Sequence, residues 1–280
     1  MMKYLLCLVA LSFASPVFSQ QDSLPRPHSH RNQFYFYWGY NRDYFSRSSI
    51  HFRGPNYDFT LYDLKATDRP ERFGWVYVNP GLFSIPQFNW RAGYFITDRL
   101  HVSIGMDHMK YVVVSEQPTR ISGVVSPTAS VQYAGSYLNQ NIDLQPEILK
   151  FEHTNGFNLA TMEFEWLQPL YRLSQGIPKL ACYWNAGVGG IWVVTKTDVL
   201  VFGDGLDNDF HVAGYAMTGK MGPRLEWKKH WFVTAEGKFG YANLPSVFIK
   251  NGAPERADHS LTFFEWYVSV GFRFGKTKSR

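Results

Sequence analysis

From Thr262 to Phe274 the side chains alternate: Thr262, Phe264, Trp266, Val268, Val270, Phe272 and Phe274 share one face, and Glu265, Tyr267, Ser269, Gly271 and Arg273 share the other. Successive residues of a strand point to opposite faces, whereas a helix would scatter this pattern around its circumference. The segment therefore reads as a strand in a sheet with one greasy and one polar side. It exceeds the roughly 9–11 residues that a tilted strand needs to cross a bilayer. The period recurs upstream. Trp231, Val233, Ala235, Phe239 and Tyr241 oppose Thr234, Glu236, Lys238 and Gly240. Ala213, Tyr215, Met217, Met221 and Leu225 oppose Gly214, Thr218, Lys220 and Arg224, and Cys182, Trp184, Ala186, Val188, Trp192 and Val194 oppose Tyr183, Asn185, Gly187 and Gly189. Shorter stretches at 160–166, 100–107, 88–94 and 34–40 alternate in the same way.

Residues 1–19 have the layout of a secretory signal peptide: Lys3, an apolar run from Tyr4 to Ala14, and small residues before Gln20. That run is too short for a membrane helix, and no later segment reaches the roughly 18–20 apolar residues one requires. A helical membrane protein is excluded on that ground. Beyond the leader, 27 basic residues face 23 acidic ones, a net +4 too dispersed for a nucleic-acid-binding face. Cys182 is the one cysteine left there, so no internal disulfide can form. Aromatic residues at 18% are abundant for a soluble domain, and girdles at two membrane interfaces would account for them.

The connections sort by length. Thr97-Asp98-Arg99, Ser174-Gln175-Gly176 and Trp227-Lys228-Lys229 are short turns, and 112–155, 197–209 and 243–259 are long and polar. Short periplasmic turns and long surface loops are the habit of outer-membrane barrels, which predicts both termini in the periplasm. The expected fold is all-β: a closed antiparallel transmembrane up-and-down barrel of 8–10 strands over 33–274, after a leader at 20–32 and before a tail at 275–280. Ten is the preferred number, with Tyr57 to Ala66 and a partner near Phe73 to Asn79 in the wall. Otherwise 41–86 is one long surface loop.

The leader, the alternating strands and the aromatic ending Gly271-Phe272-Arg273-Phe274 resemble the small outer-membrane β-barrel proteins of Gram-negative bacteria. The resemblance covers the whole mature chain. It implies an outer-membrane location, contact with membrane lipids and lipopolysaccharide, and insertion by the barrel-assembly machinery through the last strand, although Gly275 to Arg280 follow Phe274 here. It specifies a membrane and a fold, not an activity.

The polar faces point Arg91, Asp107, Glu163, Glu165, Lys220, Arg224, Glu236, Lys238, Glu265 and Arg273 inward, five of each sign. Charges confined in a narrow interior pair with one another, because isolated buried charges are costly. A plugged lumen is the expectation. Glycines at 93, 105, 187, 189, 214, 240 and 271 on the same face would make room for the long chains.

Two stretches could carry acid-base chemistry: Asp107-His108-Met109-Lys110-Tyr111 and Glu152-His153-Thr154-Asn155-Gly156, both flanking the loop 112–155. A histidine beside a carboxylate is the minimum for activating a hydroxyl or water. His153 and Asn155 also resemble part of the His-x-Ser-Asn stretch of lipid A deacylases, but the serine is unmatched. The alternative places His108 and Lys110 on the lipid-facing register beyond Met106, against lipopolysaccharide phosphates. Gly203 to Asp209 lacks the ligand spacing of a calcium loop, no residue set has zinc spacing, and no metal or cofactor is expected. His28 and His30 could capture a metal, but a flexible tail is the simpler reading of the leader. The favoured function is a monomeric barrel with a structural or surface-interaction role through its long loops. A lipid-modifying hydrolase at the outer rim, or a narrow channel or carrier for small apolar molecules, are the alternatives.

Overall fold

The computed structural model describes residues 29–275 except 83, 174–179, 206–207, 229 and 251–253. The leader at 1–19, most of 20–32, the tail beyond Gly275 and the turn at 174–176 lie outside the described residues. The strands are β1 (Phe34–Phe45), β2 (Ser48–Gly54), β3 (Tyr57–Leu64), β4 (Ala66–Thr67), β5 (Phe88–Phe95), β6 (Leu100–Val113), β7 (Gln117–Val125), β8 (Gly135–Leu144), β9 (Leu149–Leu173), β10 (Leu180–Thr195), β11 (Asp198–Val201), β12 (His211–Trp227), β13 (Trp231–Phe248) and β14 (Arg256–Phe274).

Eight of them close a ring in the order β1-β5-β6-β9-β10-β12-β13-β14, every pair antiparallel. Closure runs along the whole of β1, from Phe34 opposite Phe274 to Phe45 opposite Phe263. The ring thus holds eight strands and not ten. β2 and β3 have only seven and eight residues, short of a membrane crossing, and neither enters the wall. The stretch from Trp75 to Tyr77, within the segment proposed as their partner, is a single 3-10 turn.

The outer face is apolar and open. On β14, Phe264, Trp266, Val268, Val270, Phe272 and Phe274 are all exposed, as are Met217 and Met221 on β12 and Val188 on β10. Ten residue steps of about 3.3 Å from Phe264 to Phe274, tilted by about 40°, rise about 25 Å, the height of a barrel's apolar band.

At the end away from the termini the wall strands run on above that band. Loops expected at 112–155 and 243–259 are instead largely strand, with β7 and β8 in the first and β13 and β14 continuing through most of the second, and β11 occupies part of the loop expected at 197–209. Arg256 to His259 of β14 pair with β2, and the sheet continues through β3 and β7 to β8. This extension wraps one apolar core with the upper ring, in which Phe52, Phe59, Leu61, Tyr111, Phe151, Phe157 and Phe263 are fully buried. Each such side chain taken from water contributes roughly 1.5–3 kcal/mol, so the extension is held by its own packing.

β5 is short, and above Phe88 the wall between β1 and β6 is completed by other groups. β4 pairs with Val112 and Val113 of β6, and the Gln87 amide donates to Asp43 at 2.7 Å. The Trp75–Tyr77 turn lies against the outside of the wall, where the Tyr40 hydroxyl donates to the Tyr77 carbonyl.

Candidate functional site

Inside the lower ring, alternate residues of all eight ring strands meet. The ten charged side chains expected on the inner face are all buried there. Glu163 is their centre. Its carboxylate accepts from Arg91 Nε and Nη2 at 3.1 and 3.0 Å, and lies 2.7 Å from Lys220 and 2.8 Å from Lys238. Arg91 also bonds Asp107 at 2.8 Å, and Lys238 bonds the same carboxylate. Lys220 reaches Glu165 at 2.8 Å and Glu236 at 3.3 Å. Neutral donors join the network: Asn185 donates to Glu165 and Glu236 at 2.8 Å each, Ser103 to Glu165 at 2.6 Å, and the Tyr267 hydroxyl to Glu236.

A second cluster closes the short-turn end. Glu226 accepts from Arg273 at 2.9 Å, pairs with Arg224 at 3.0 Å and bonds His30 at 3.1 Å, while the Arg224 guanidinium lies 3.6 Å from the centre of the Phe232 ring. Glu226 continues the inward parity of Lys220 and Arg224, so extending that pattern by one step identifies it. His30 carried no such signal. It comes from the segment read as a flexible leader, yet it is buried. Asp98 fixes it: the Asp98 carboxylate accepts from the Ser29 hydroxyl at 2.6 Å and from the N–H groups of His30 and Arg31 at 2.9 and 3.1 Å. Partial burial pushes the Asp98 pKa up, but those three donors outweigh it and hold the carboxyl below its usual range.

The inward glycines serve rings as much as charged chains. A side chain at Gly271 would overlap the Phe232 ring, whereas one at Gly189 would meet Glu163 Cγ at 2.7 Å.

The acid-base candidates are not assembled. β6 and β9 are neighbours, with Tyr111 opposite His153. Adjacent residues of a strand face opposite sides, so Asp107 and His153 point into the ring while His108 and Glu152 point out. Asp107 is engaged by Arg91 and Lys238. His153 sits in the apolar upper core, its Nδ1 2.8 Å from the Thr197 hydroxyl and its ring stacked on His259 at 5.8 Å. Among the described residues no carboxylate hydrogen-bonds either ring. Glu152 pairs with Arg69 at 2.7 Å, and Asn155 is exposed.

His108 and Lys110 do lie on the outer register, but they are covered by the chain itself and do not form an open lipid-facing surface. His108 stacks on Phe88 at 5.0 Å and bonds Asn158 at 2.7 Å, and Lys110 bonds Glu71 at 2.9 Å. Strand parity says which side of the wall a residue takes, not what stands over it.

On the extension, Arg120 of β7 is clasped from both neighbouring strands. Asp63 accepts from it at 2.8 Å and Asn139 at 2.9 Å, both from left-handed backbone (φ 53° and 52°) at irregularities in the pairing of β3 and β8. Bulges re-aim side chains in this way. They border a depression of about 510 Å³ lined also by Tyr62, Asn141 and Asp143. Beyond it β8 ends the sheet, paired with β7 alone among the described residues.

No family model matches the chain, and no curated protein sequence matches it significantly. Among solved structures it is similar to the outer membrane protein OprG from Pseudomonas aeruginosa, at 10% identity over 88% of this chain and 98% of that one, with a TM-score of 0.36. It is similar to the outer membrane protein AlkL, solved in lipid bilayers, at 9% identity over 91% and 96%, TM-score 0.37. Ail, the attachment invasion locus protein of Yersinia pestis, is similar at 10% identity over 87% and 99%, TM-score 0.30. The ring of eight strands rests on this chain's own pairings.

Proposed function

We propose that the protein is a monomeric outer-membrane barrel, plugged by its own side chains, whose working surface is the strand-built extension presented outside the cell. The apolar belt supports the membrane location, because a water-soluble barrel would not leave Trp266, Val268, Met217 and Val188 uncovered. Short turns at the end carrying both termini support a periplasmic base, and exposed Phe272 and Phe274 at the end of β14 support insertion by the assembly machinery. The interlocked ion pairs support a closed interior.

The observation that carries the surface role is the free edge of β8. Its ten residues offer unpaired backbone groups, with Asp143 as the single charge and no proline or lysine to block pairing. An edge of this kind accepts an extended segment of another protein as an added strand.

The test uses intact cells carrying single cysteines in a Cys182→Ala background. Asn139→Cys should react with a membrane-impermeant maleimide and Thr97→Cys should not. Planar bilayers should show no steady conductance. Leu138→Lys with Gln140→Pro should abolish cell–cell attachment mediated by the protein while leaving insertion intact. Reversed labelling, steady conductance or undiminished attachment would each refute the corresponding part.

A further inference from the structure

We propose that the described residues between β4 and β5, centred on the Trp75–Tyr77 turn, form a membrane-interface anchor whose outward side beds into the headgroup and acyl boundary of the leaflet at the long-loop end. The inference rests on the membrane reading above.

The segment is built inside out for a loop in water. Three of its polar side chains reach back to the barrel, while Arg72 stays exposed: Glu71 accepts from Lys110 at 2.9 Å, Arg69 pairs with Glu152 at 2.7 Å, and the Tyr77 hydroxyl accepts from Arg42 at 2.9 Å. Its large apolar side chains turn away. Phe73 is 92% exposed, Trp75 72%, Val78 65% and Ile85 45%. A loop in water gains nothing from leaving two aromatic rings and two branched apolar side chains uncovered together.

Position identifies what covers them. The segment is tied to the outer wall where the Tyr40 hydroxyl donates to the Tyr77 carbonyl at 2.7 Å and Arg42 meets the Tyr77 ring. Tyr40 lies directly opposite Val268 of β14, and Arg42 opposite Trp266. Both partners belong to the apolar belt. Adjacent strands are about 4.8 Å apart, and a tilt of about 40° turns that step into about 3 Å of height. The Trp75–Tyr77 turn thus stands beside the upper belt, on its lipid side. Aromatic side chains above a polar underside are the chemistry of that boundary layer, where amphipathic segments lie flat.

Full-length Cys7→Ala, Cys182→Ala protein carrying a nitroxide at Trp75→Cys, or in a second variant at Phe73→Cys, is placed in phosphatidylcholine vesicles. Relaxation by oxygen is compared with relaxation by a water-soluble nickel chelate. Labels at Val268→Cys and Asn139→Cys give the lipid and aqueous references. The expected oxygen-to-nickel ratio at 75 and 73 is several-fold above that at 139 and approaches that at 268. Ratios equal to that at 139, with 268 in lipid, would overturn the anchor. An aqueous ratio at 268 as well would overturn the membrane reading and the anchor with it.

Discussion

Replacing Glu163 with Gln tests whether the interior is a dry, interlocked plug. The substitution keeps the shape and removes one charge from among Arg91, Lys220 and Lys238, all within about 3 Å of that carboxylate. A charge pair at about 4 Å in an effective dielectric near 20 attracts by about 4 kcal/mol, and losing one partner of a buried group costs about 3–5 kcal/mol because the remaining charges stay in place. At about 1.4 kcal/mol per decade, the unfolding equilibrium should move by two to four powers of ten. Reversible denaturant unfolding of the barrel in lipid, followed by tryptophan fluorescence, reads that shift as a lower midpoint at unchanged slope. Lys220→Met alone and combined with Glu163→Gln should give losses that fail to add by about 0.5–3 kcal/mol, because the two groups share one contact at 2.7 Å. A loss below about 0.5 kcal/mol, the scale of ordinary surface changes, would refute the reasoning and mean that water screens the interior.

Gly271→Leu should cost about 1–3 kcal/mol by overpacking against Phe232, measured by the same unfolding midpoint. Phe52→Ala, in the core shared by the extension and the upper ring, should cost about 3–5 kcal/mol and raise protease sensitivity between β2 and β8. Because the Asp98 pKa is held down in the folded state, its anchoring of residues 29–31 should be fully present above the ordinary carboxylate value of about 3.9 and be lost as pH falls through the lower folded value. The amide resonances of His30 and Arg31 should report that loss, and Asp98→Asn should abolish the titration.

The acid-base motifs show why neighbours in sequence mislead in a sheet. Glu152-His153 and Asp107-His108 look like dyads when written in a line, but one residue of each faces the core and the other the outside of the wall. The segment from Ser48 to Gln87 was obscure for a related reason. β2 and β3 are too short to cross a membrane and their alternation is broken by the left-handed Asp63, while residues 68–87 expose apolar side chains without any period. Such segments are defined by what they pack on, and no local pattern records it.

Period two alone determined that this chain forms antiparallel strands, which side chains share the inner face, and that the other face is greasy, because on a strand the side of the sheet depends only on parity. The tertiary structure decided the rest. Closure after eight strands brings Arg91 of β5, Lys220 of β12 and Lys238 of β13 onto one carboxylate of β9, an encounter set by register and curvature around the ring. It also set the outward residues apart: Val268 stays open at the belt, whereas His108 is closed in by Phe88 and Asn158 and Lys110 is bonded by Glu71. Parity is a property of one strand, but a side chain's partners depend on the other strands that its neighbours bring within reach.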